Sequence, residues 1–126
     1  MKFKFIDQNS NYLREVIDLG NKHSKTLGFL PEGGFIDHAR KKWIIVAVKD
    51  EIVAGYLLFR LGKKNLKVSI THLCVKDGYR GQNIAFKLID QIKEKYQNIF
   101  TGITLSCRTD YIQASKLISM FHILQP

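Results

Sequence analysis

The sequence predicts an α/β (α+β) fold: a mixed sheet, with an antiparallel meander followed by a parallel β-α-β unit and helices on both faces. Three observations carry this expectation. The runs WIIVAVK, IVAGYLLFRL and LKVSITHLCV are rich in β-branched and aromatic residues, and only Asp50-Glu51 and Gly62 to Asn65 separate them. Connections that short join antiparallel neighbours. From Ile84 to Tyr96 the pattern changes: Ile84, Ala85, Leu88, Ile89, Ile92 and Tyr96 share one helical face, while Lys87, Asp90, Gln91, Lys93 and Glu94 cover the other. Then GITLSCR, Gly102 to Arg108, reads as a strand again. Strand, helix and strand from Lys67 to Arg108 make a crossover unit, which sets its two strands parallel and adjacent.

The remaining elements follow in chain order. Lys2 to Ile6 alternates Phe3 and Phe5 against Lys2 and Lys4, the period of a half-buried strand. Asn9 to Asn11 offers capping residues, and from Tyr12 to Leu19 the apolar positions Leu13, Val16, Ile17 and Leu19 follow helical spacing, with Gly20 as the expected stop. LGFLPEGGFIDHARKKW contains Pro31 and the Gly33-Gly34 pair, so it reads as a loop entering a short helix from Phe35 to Lys42. Tyr111 to Phe121 has the composition of a last helix.

Composition bounds the possibilities. A chain of 126 residues, 45% hydrophobic, is expected to form one domain over 1–126 around one core. The longest apolar runs fall far short of the roughly 20 residues that span a bilayer. MKFKFIDQNS has no apolar signal core followed by a cleavage site, so a cytoplasmic location without membrane contact is expected. Cys74 and Cys107 form no CxxC pair, which suggests free thiols and neither a zinc site nor a disulfide framework. The 20 basic and 11 acidic residues leave a formal charge of +9. Such an excess attracts polyanions, of which a phosphorylated cofactor and a nucleic acid are two; a merely solvated basic surface fits as well. Direct nucleic-acid binding is the less favoured reading, since Phe59-Arg60 and Tyr79-Arg80 come without a helix-turn-helix or RRM-type signature.

The most informative stretch is VKDGYRGQNIAFKL, Val75 to Leu88, where a strand turns into a helix. The first N–H groups of that helix lack internal partners and carry the positive end of its dipole. Arg80 adds a charge suited to phosphate, and Gly81 lets backbone approach without a side chain in the way. A diphosphate would fit there, as would an ordinary capped loop. There is neither a Rossmann G-x-G-x-x-G nor a P-loop Gly-Lys-Ser/Thr.

HLCVKDGYRGQNIAFKLI resembles the acetyl-coenzyme A motif of the GNAT superfamily of N-acetyltransferases, whose turn reads Q/R-x-x-G-x-G/A. The resemblance implies a GNAT-like domain that uses acetyl-CoA as cosubstrate and moves its acetyl group to the amine of a small molecule or peptide. It implies pyrophosphate contacts, mostly through backbone N–H, at Arg80, Gly81, Gln82, Asn83, Ile84 and Ala85, and pantetheine contacts to the main chain at Leu73, Cys74 and Val75. One departure is internal: Asn83 stands where the second glycine is usual. A helix start does not by itself demand positive φ, so weaker binding is expected there, and not its loss.

The chemistry is less legible. Proteins of this family that carry a base on the strand before the turn place Glu or His on the face assigned here, by strict alternation, to Ser69, Thr71, Leu73 and Val75. That leaves Thr71 and His72 as weak catalytic candidates, with His72 and Cys74 on the opposite face. Of the family pattern Asn-x-x-Ala-x-x-x-Tyr on the last helix, only Ala114 is present; Tyr111 and Ile118 occupy the Asn and Tyr positions. Glu32, Asp37 and His38 are candidates to face a cationic amine, or are solvated loop residues. The family also continues into two further strands where this chain ends at HILQP, so a shortened member is expected, with the strand from Gly102 an exposed edge that a homodimer would cover. The alternatives to an active enzyme are a non-catalytic acetyl-CoA-binding module and a basic interaction module.

Overall fold

The computed structural model describes residues 1–62, 64, 66–100 and 102–105, with nothing described of the Leu105 side chain. Five strands form one sheet in the order β1 (Lys2–Ile6), β2 (Ile44–Lys49), β3 (Ile52–Gly62), β4 (Lys67–Val75) and β5 (Gly102–Leu105). The first three junctions are antiparallel and β4–β5 is parallel. Helices α1 (Leu13–Lys22), α2 (Ser24–Leu27) and α3 (Glu32–Arg40) lie between β1 and β2 in the chain, and α4 (Ile84–Tyr96) crosses from β4 to β5. The mixed sheet expected from the sequence is the one observed. The helix expected over Tyr111 to Phe121, and the GITLSCR strand beyond Leu105, lie outside the described residues.

Strand alternation divides the core in two. Ile44, Val46 and Val48 of β2 with Tyr56 and Leu58 of β3 face one side, where Leu13, Val16 and Ile17 of α1, Leu27 of α2 and Phe35 and Ala39 of α3 cover them. Ile45, Ala47, Leu57 and Phe59 face the other and meet Ile84, Leu88, Ile89 and Ile92 of α4. That stripe on α4 is the one its 3.6-residue periodicity predicts. The β2–β3 hairpin turns on two residues, Asp50 and Glu51, both left-handed at φ 51° and 62°, because only that twist continues the strands.

Two expectations about the helices need correction. α1 does not stop at Gly20 but runs through it to Lys22. Gly20 is buried in the helix because two aromatic side chains press on it there: an added Cβ would lie 2.6 Å from Phe35 Cζ and 2.7 Å from the Tyr56 hydroxyl. Close approach, and not chain termination, explains this glycine. The other helix begins at Glu32, earlier than Phe35, because Pro31 is extended (φ −60°, ψ 155°) and its carbonyl accepts from the Gly34 N–H at 2.9 Å.

Gly20→Ala should therefore destabilise the fold by about 1–3 kcal/mol, since helix propensity gained is outweighed by overpacking against two rings. Gly33→Ala, in α3 with nothing within 4 Å of the new methyl, should be neutral or stabilising by up to about 1 kcal/mol. Denaturant midpoints of the two variants compare them directly.

Candidate active site

The turn between β4 and α4 is built from unusual backbone. Lys76 N–H donates to Ala54 O at 2.8 Å, and Tyr79 N–H to Lys76 O at 3.0 Å, closing the first bend. The chain then reverses through Gly78 (φ 91°), Gly81 (φ 83°) and Asn83 (φ 58°, ψ 28°). All three are left-handed, a region asparagine enters more readily than most side chains. The expectation that position 83 needs no positive φ is thus overturned, and the same geometry explains why asparagine can stand there for glycine. Neither at Gly78 nor at Gly81 would a Cβ meet any atom within 4 Å, so this side of the turn is open.

Asn83 is the N-cap of α4, yet its side chain makes no capping bond; the first intrahelical bond runs from Lys87 N–H to Asn83 O at 3.0 Å. The positive end of the helix dipole therefore faces outward without a side-chain cap. Two cations flank Asp77 in the same turn. Arg80 lies 3.6 Å from one oxygen of Asp77, and Lys22, at the end of α1, 3.6 Å from the other. Both pairs are exposed and hold their partners weakly. Lys22 had no sequence signal for this place, because a contact from α1 to the turn is set by tertiary packing.

Next to the turn comes the end of β4. Gly55 on β3 pairs with Val75, and a Cβ on it would come within 2.8 Å of Cys74 O, so backbone meets backbone closely there. Cys74 is 2% exposed, and burial pushes its thiol up to about 12, which leaves it an inert apolar group.

Strict alternation along β4 fails at one place: His72 and Cys74 lie on the face opposite Leu73 and Val75 as expected, but the residues before the bulge sit on the other face from the one assigned to them. The register steps from Leu58↔His72 to Phe59↔Ile70, which leaves Thr71 as an extra residue, a β-bulge. Val68 and Ile70 consequently share the α4 side with Leu73, while Cys74 packs with α1 to α3. Ser69 and Leu73 do not share a face. His72 lies opposite Leu58, 3% exposed, with its ring 5.9 Å from that of Phe35 and its Nδ1 hydrogen-bonded to the buried Tyr56 hydroxyl at 2.9 Å. Burial, assisted by the charge of His38, lowers His72 to about 4.

The other polar candidates are occupied. Glu32 pairs with Arg14, and Asp37 with Arg40 and Lys41 at 3.5 Å each. His38 is buried; Arg60 Nε donates to its Nε2 at 3.1 Å, which puts the ring proton on Nδ1, bonded to Gly34 O at 2.7 Å. Its pKa is lowered, by burial first. A cleft of about 560 Å³ between β1 and the start of α1, lined by Lys4, Tyr12, Glu15 and Glu51 among others, contains no residue of the turn. Among the described residues no group of three or more His, Cys, Asp or Glu could hold a metal ion, and no helix is long and apolar enough to cross a membrane.

The described chain is thus an α/β fold in which an antiparallel meander is followed by a parallel crossover, with a helix start after β4 that its N-cap side chain leaves open. Residues 33–115, well over half of the chain, match the acetyltransferase (GNAT) domain, and the chain belongs to that family. Among solved structures it resembles diaminobutyrate acetyltransferase from Paenibacillus lautus, solved with its substrate and coenzyme A (TM-score 0.78, 12% identity, 96% of this chain and 73% of that one). It also resembles ribosomal-protein-alanine N-acetyltransferase from Brucella melitensis biovar Abortus (TM-score 0.73, 17% identity, 94% and 88%). A third is N-acetylglutamate synthase from Neisseria gonorrhoeae, complexed with coenzyme A and N-acetyl-glutamate (TM-score 0.71, 12% identity), where 81% of this chain spans only 24% of that protein. No curated protein matches the chain.

The buried imidazole gives a pH dependence. His72 titrates near 4 in the fold against an ordinary 6.5, so the unfolded chain binds the proton first. Stability is complete above about pH 6.5 and falls towards pH 4 by up to about 3 kcal/mol. Denaturant melts across this window should show the slope, and His72→Leu should reduce it, leaving the part of the same sign that buried His38 contributes.

Proposed function

We propose that the chain is an acetyl-coenzyme A dependent N-acetyltransferase whose cofactor pyrophosphate sits on the β4–α4 turn. The observation that carries this reading is the turn itself: three left-handed residues, Gly78, Gly81 and Asn83, lead into a helix start that no side chain caps. The residues present fit a diphosphate. Backbone N–H from Gly81, Gln82, Asn83, Ile84 and Ala85 would cradle it, with Arg80 swinging from Asp77 to a phosphate oxygen. The main chain of Leu73, Cys74 and Val75 would hold the pantetheine arm and donate N–H to the thioester oxygen.

The reaction then needs little covalent help from side chains. Acetyl-coenzyme A would supply a thioester whose carbonyl carbon an unprotonated acceptor amine would attack, with the β4 backbone N–H groups placed to stabilise charge on its oxygen. As the C–N bond formed the C–S bond would break, coenzyme A would leave as thiolate and take a proton, and the nitrogen would lose one. His72 is not assigned as the base, because a nearly inaccessible imidazole that titrates near 4 is mostly neutral but weakly basic at neutral pH. Thr71, displaced by the bulge, could orient an acceptor or a water through its hydroxyl. In the described sheet β5 is the outer strand, and a second copy pairing there would protect it.

Arg80→Ala with Gly81→Glu should abolish acetyl-CoA binding by calorimetry while the circular dichroism spectrum is kept; unchanged affinity would refute the assignment. Asn83→Gly, equally at home at positive φ, should bind within a few-fold of the parent, whereas Asn83→Val should bind at least ten-fold more weakly. Release of thiol from acetyl-CoA with a panel of amines distinguishes turnover from binding alone.

A further inference from the structure

At the end of α4 far from the turn, a different surface gathers. α4 has 13 residues, so its last turn lies about 20 Å from the candidate pyrophosphate site. Two groups of aromatic and cationic contacts gather there, from α3, β1, β3 and α4 and from Lys41 and Trp43 between α3 and β2. Lys41 Nζ stands 4.7 Å from the Trp43 ring centre, and Trp43 is edge-on to His38 at 6.0 Å. Lys95 Nζ lies 3.8 Å from the centre of Phe5 and 5.6 Å from that of Tyr96. Phe59 links Phe5 and Tyr96 from beneath, at 6.2 and 5.7 Å. Phe59 is fully buried, whereas Phe5, Trp43 and Tyr96 are only partly buried against the α4-side core.

The charges here are not neutralised. Asp37 serves Arg40 and Lys41, but among the described residues Lys42, Arg60 and Lys95 have no carboxylate within ion-pair distance. Arg60 spends only its Nε, on His38. Burial, and then the nearby charge of Lys42, push the Lys95 ammonium down, and an anion bound beside both would offset that repulsion. The chain as a whole carries +9.

We propose that this surface binds single-stranded nucleic acid, with Lys42, Arg60 and Lys95 on phosphates and the partly exposed rings of Trp43, Phe5 and Tyr96 stacking bases. Cations alone would suit any polyanion. Flat apolar rings set between them favour a ligand that alternates phosphate with aromatic base, because bases stack on rings whatever their sequence. An acidic peptide would leave the rings unused, and a duplex would keep its bases hidden. The proposal does not rest on acetyl transfer and stands or falls separately from it.

Trp43 is the only tryptophan, so its fluorescence reads this surface directly. The experiment titrates the full chain with a 12-nucleotide oligouridylate, alone and with saturating acetyl-CoA, and in parallel with a duplex of equal length and with polyglutamate. The expected result is quenching of Trp43 by oligouridylate with or without acetyl-CoA. Affinity should fall with added salt at a log–log slope of about −2, as roughly three phosphate contacts require. Lys42→Glu with Lys95→Glu should weaken binding at least ten-fold with the circular dichroism spectrum kept, while Lys25→Glu with Lys49→Glu, on other exposed surface, should change it less than three-fold. No binding at low salt, equal loss in the two double variants, or tighter binding of polyglutamate or duplex would overturn the proposal.

Discussion

The reversal of the chain from β4 into α4 constrains everything around it. Three residues must take positive φ within six positions, Gly78, Gly81 and Asn83, and a helix must begin without a capping bond from its N-cap side chain. Left-handed backbone costs about 1–2 kcal/mol per residue for an ordinary side chain, so two glycines and an asparagine are what the geometry tolerates. The result is an open helix start beside Arg80, a shape that suits the anion proposed for it. The sheet supplies its support: Lys76 N–H on Ala54 O ties the turn to β3, and the buried stripe of α4 fixes the helix direction.

The bulge at Thr71 has the second largest consequence. One added residue in β4 exchanges the faces of everything on one side of it. His72 and Cys74 are turned into the core beneath α1 and α3, where Tyr56 satisfies the imidazole and where Gly20 leaves room for the Tyr56 hydroxyl and Phe35. A histidine that looks catalytic in a strand of β-branched residues becomes a packed, neutral one. On the proposed reading, catalysis would fall chiefly to main-chain groups and to positioning, which suits a reaction whose nucleophile is carried by the acceptor itself.

How much of this was legible from the sequence depends on the range of the interaction. Local periodicity found β1 and all of α4 at their observed bounds, because both are amphipathic with one buried face. The short links Asp50-Glu51 and Gly62 to Asn65 were sufficient to read the meander. The turn was legible because its glycines and Arg80 fall within four positions of the chain, Gly78 to Gly81. Long-range effects were not. Gly20 looks like a helix stop until Phe35 and Tyr56 are seen against it. The bulge at Thr71 depends on how β3 and β4 align, so strict alternation placed His72 and Cys74 opposite Leu73 and Val75 correctly but put Ser69 on the wrong face. The proximity of Lys22 to Asp77, and of Lys95 to Phe5, belongs to packing alone.

The central claim is that backbone N–H groups at the start of α4 hold the acetyl-CoA diphosphate. Amide proton and nitrogen shifts of the labelled chain, followed during titration with acetyl-CoA, test it most directly. The account predicts saturable shifts largest at Gly81 to Ala85, with a second set at Leu73 to Val75. Shifts confined to other parts of the chain, or none at millimolar acetyl-CoA, would contradict it.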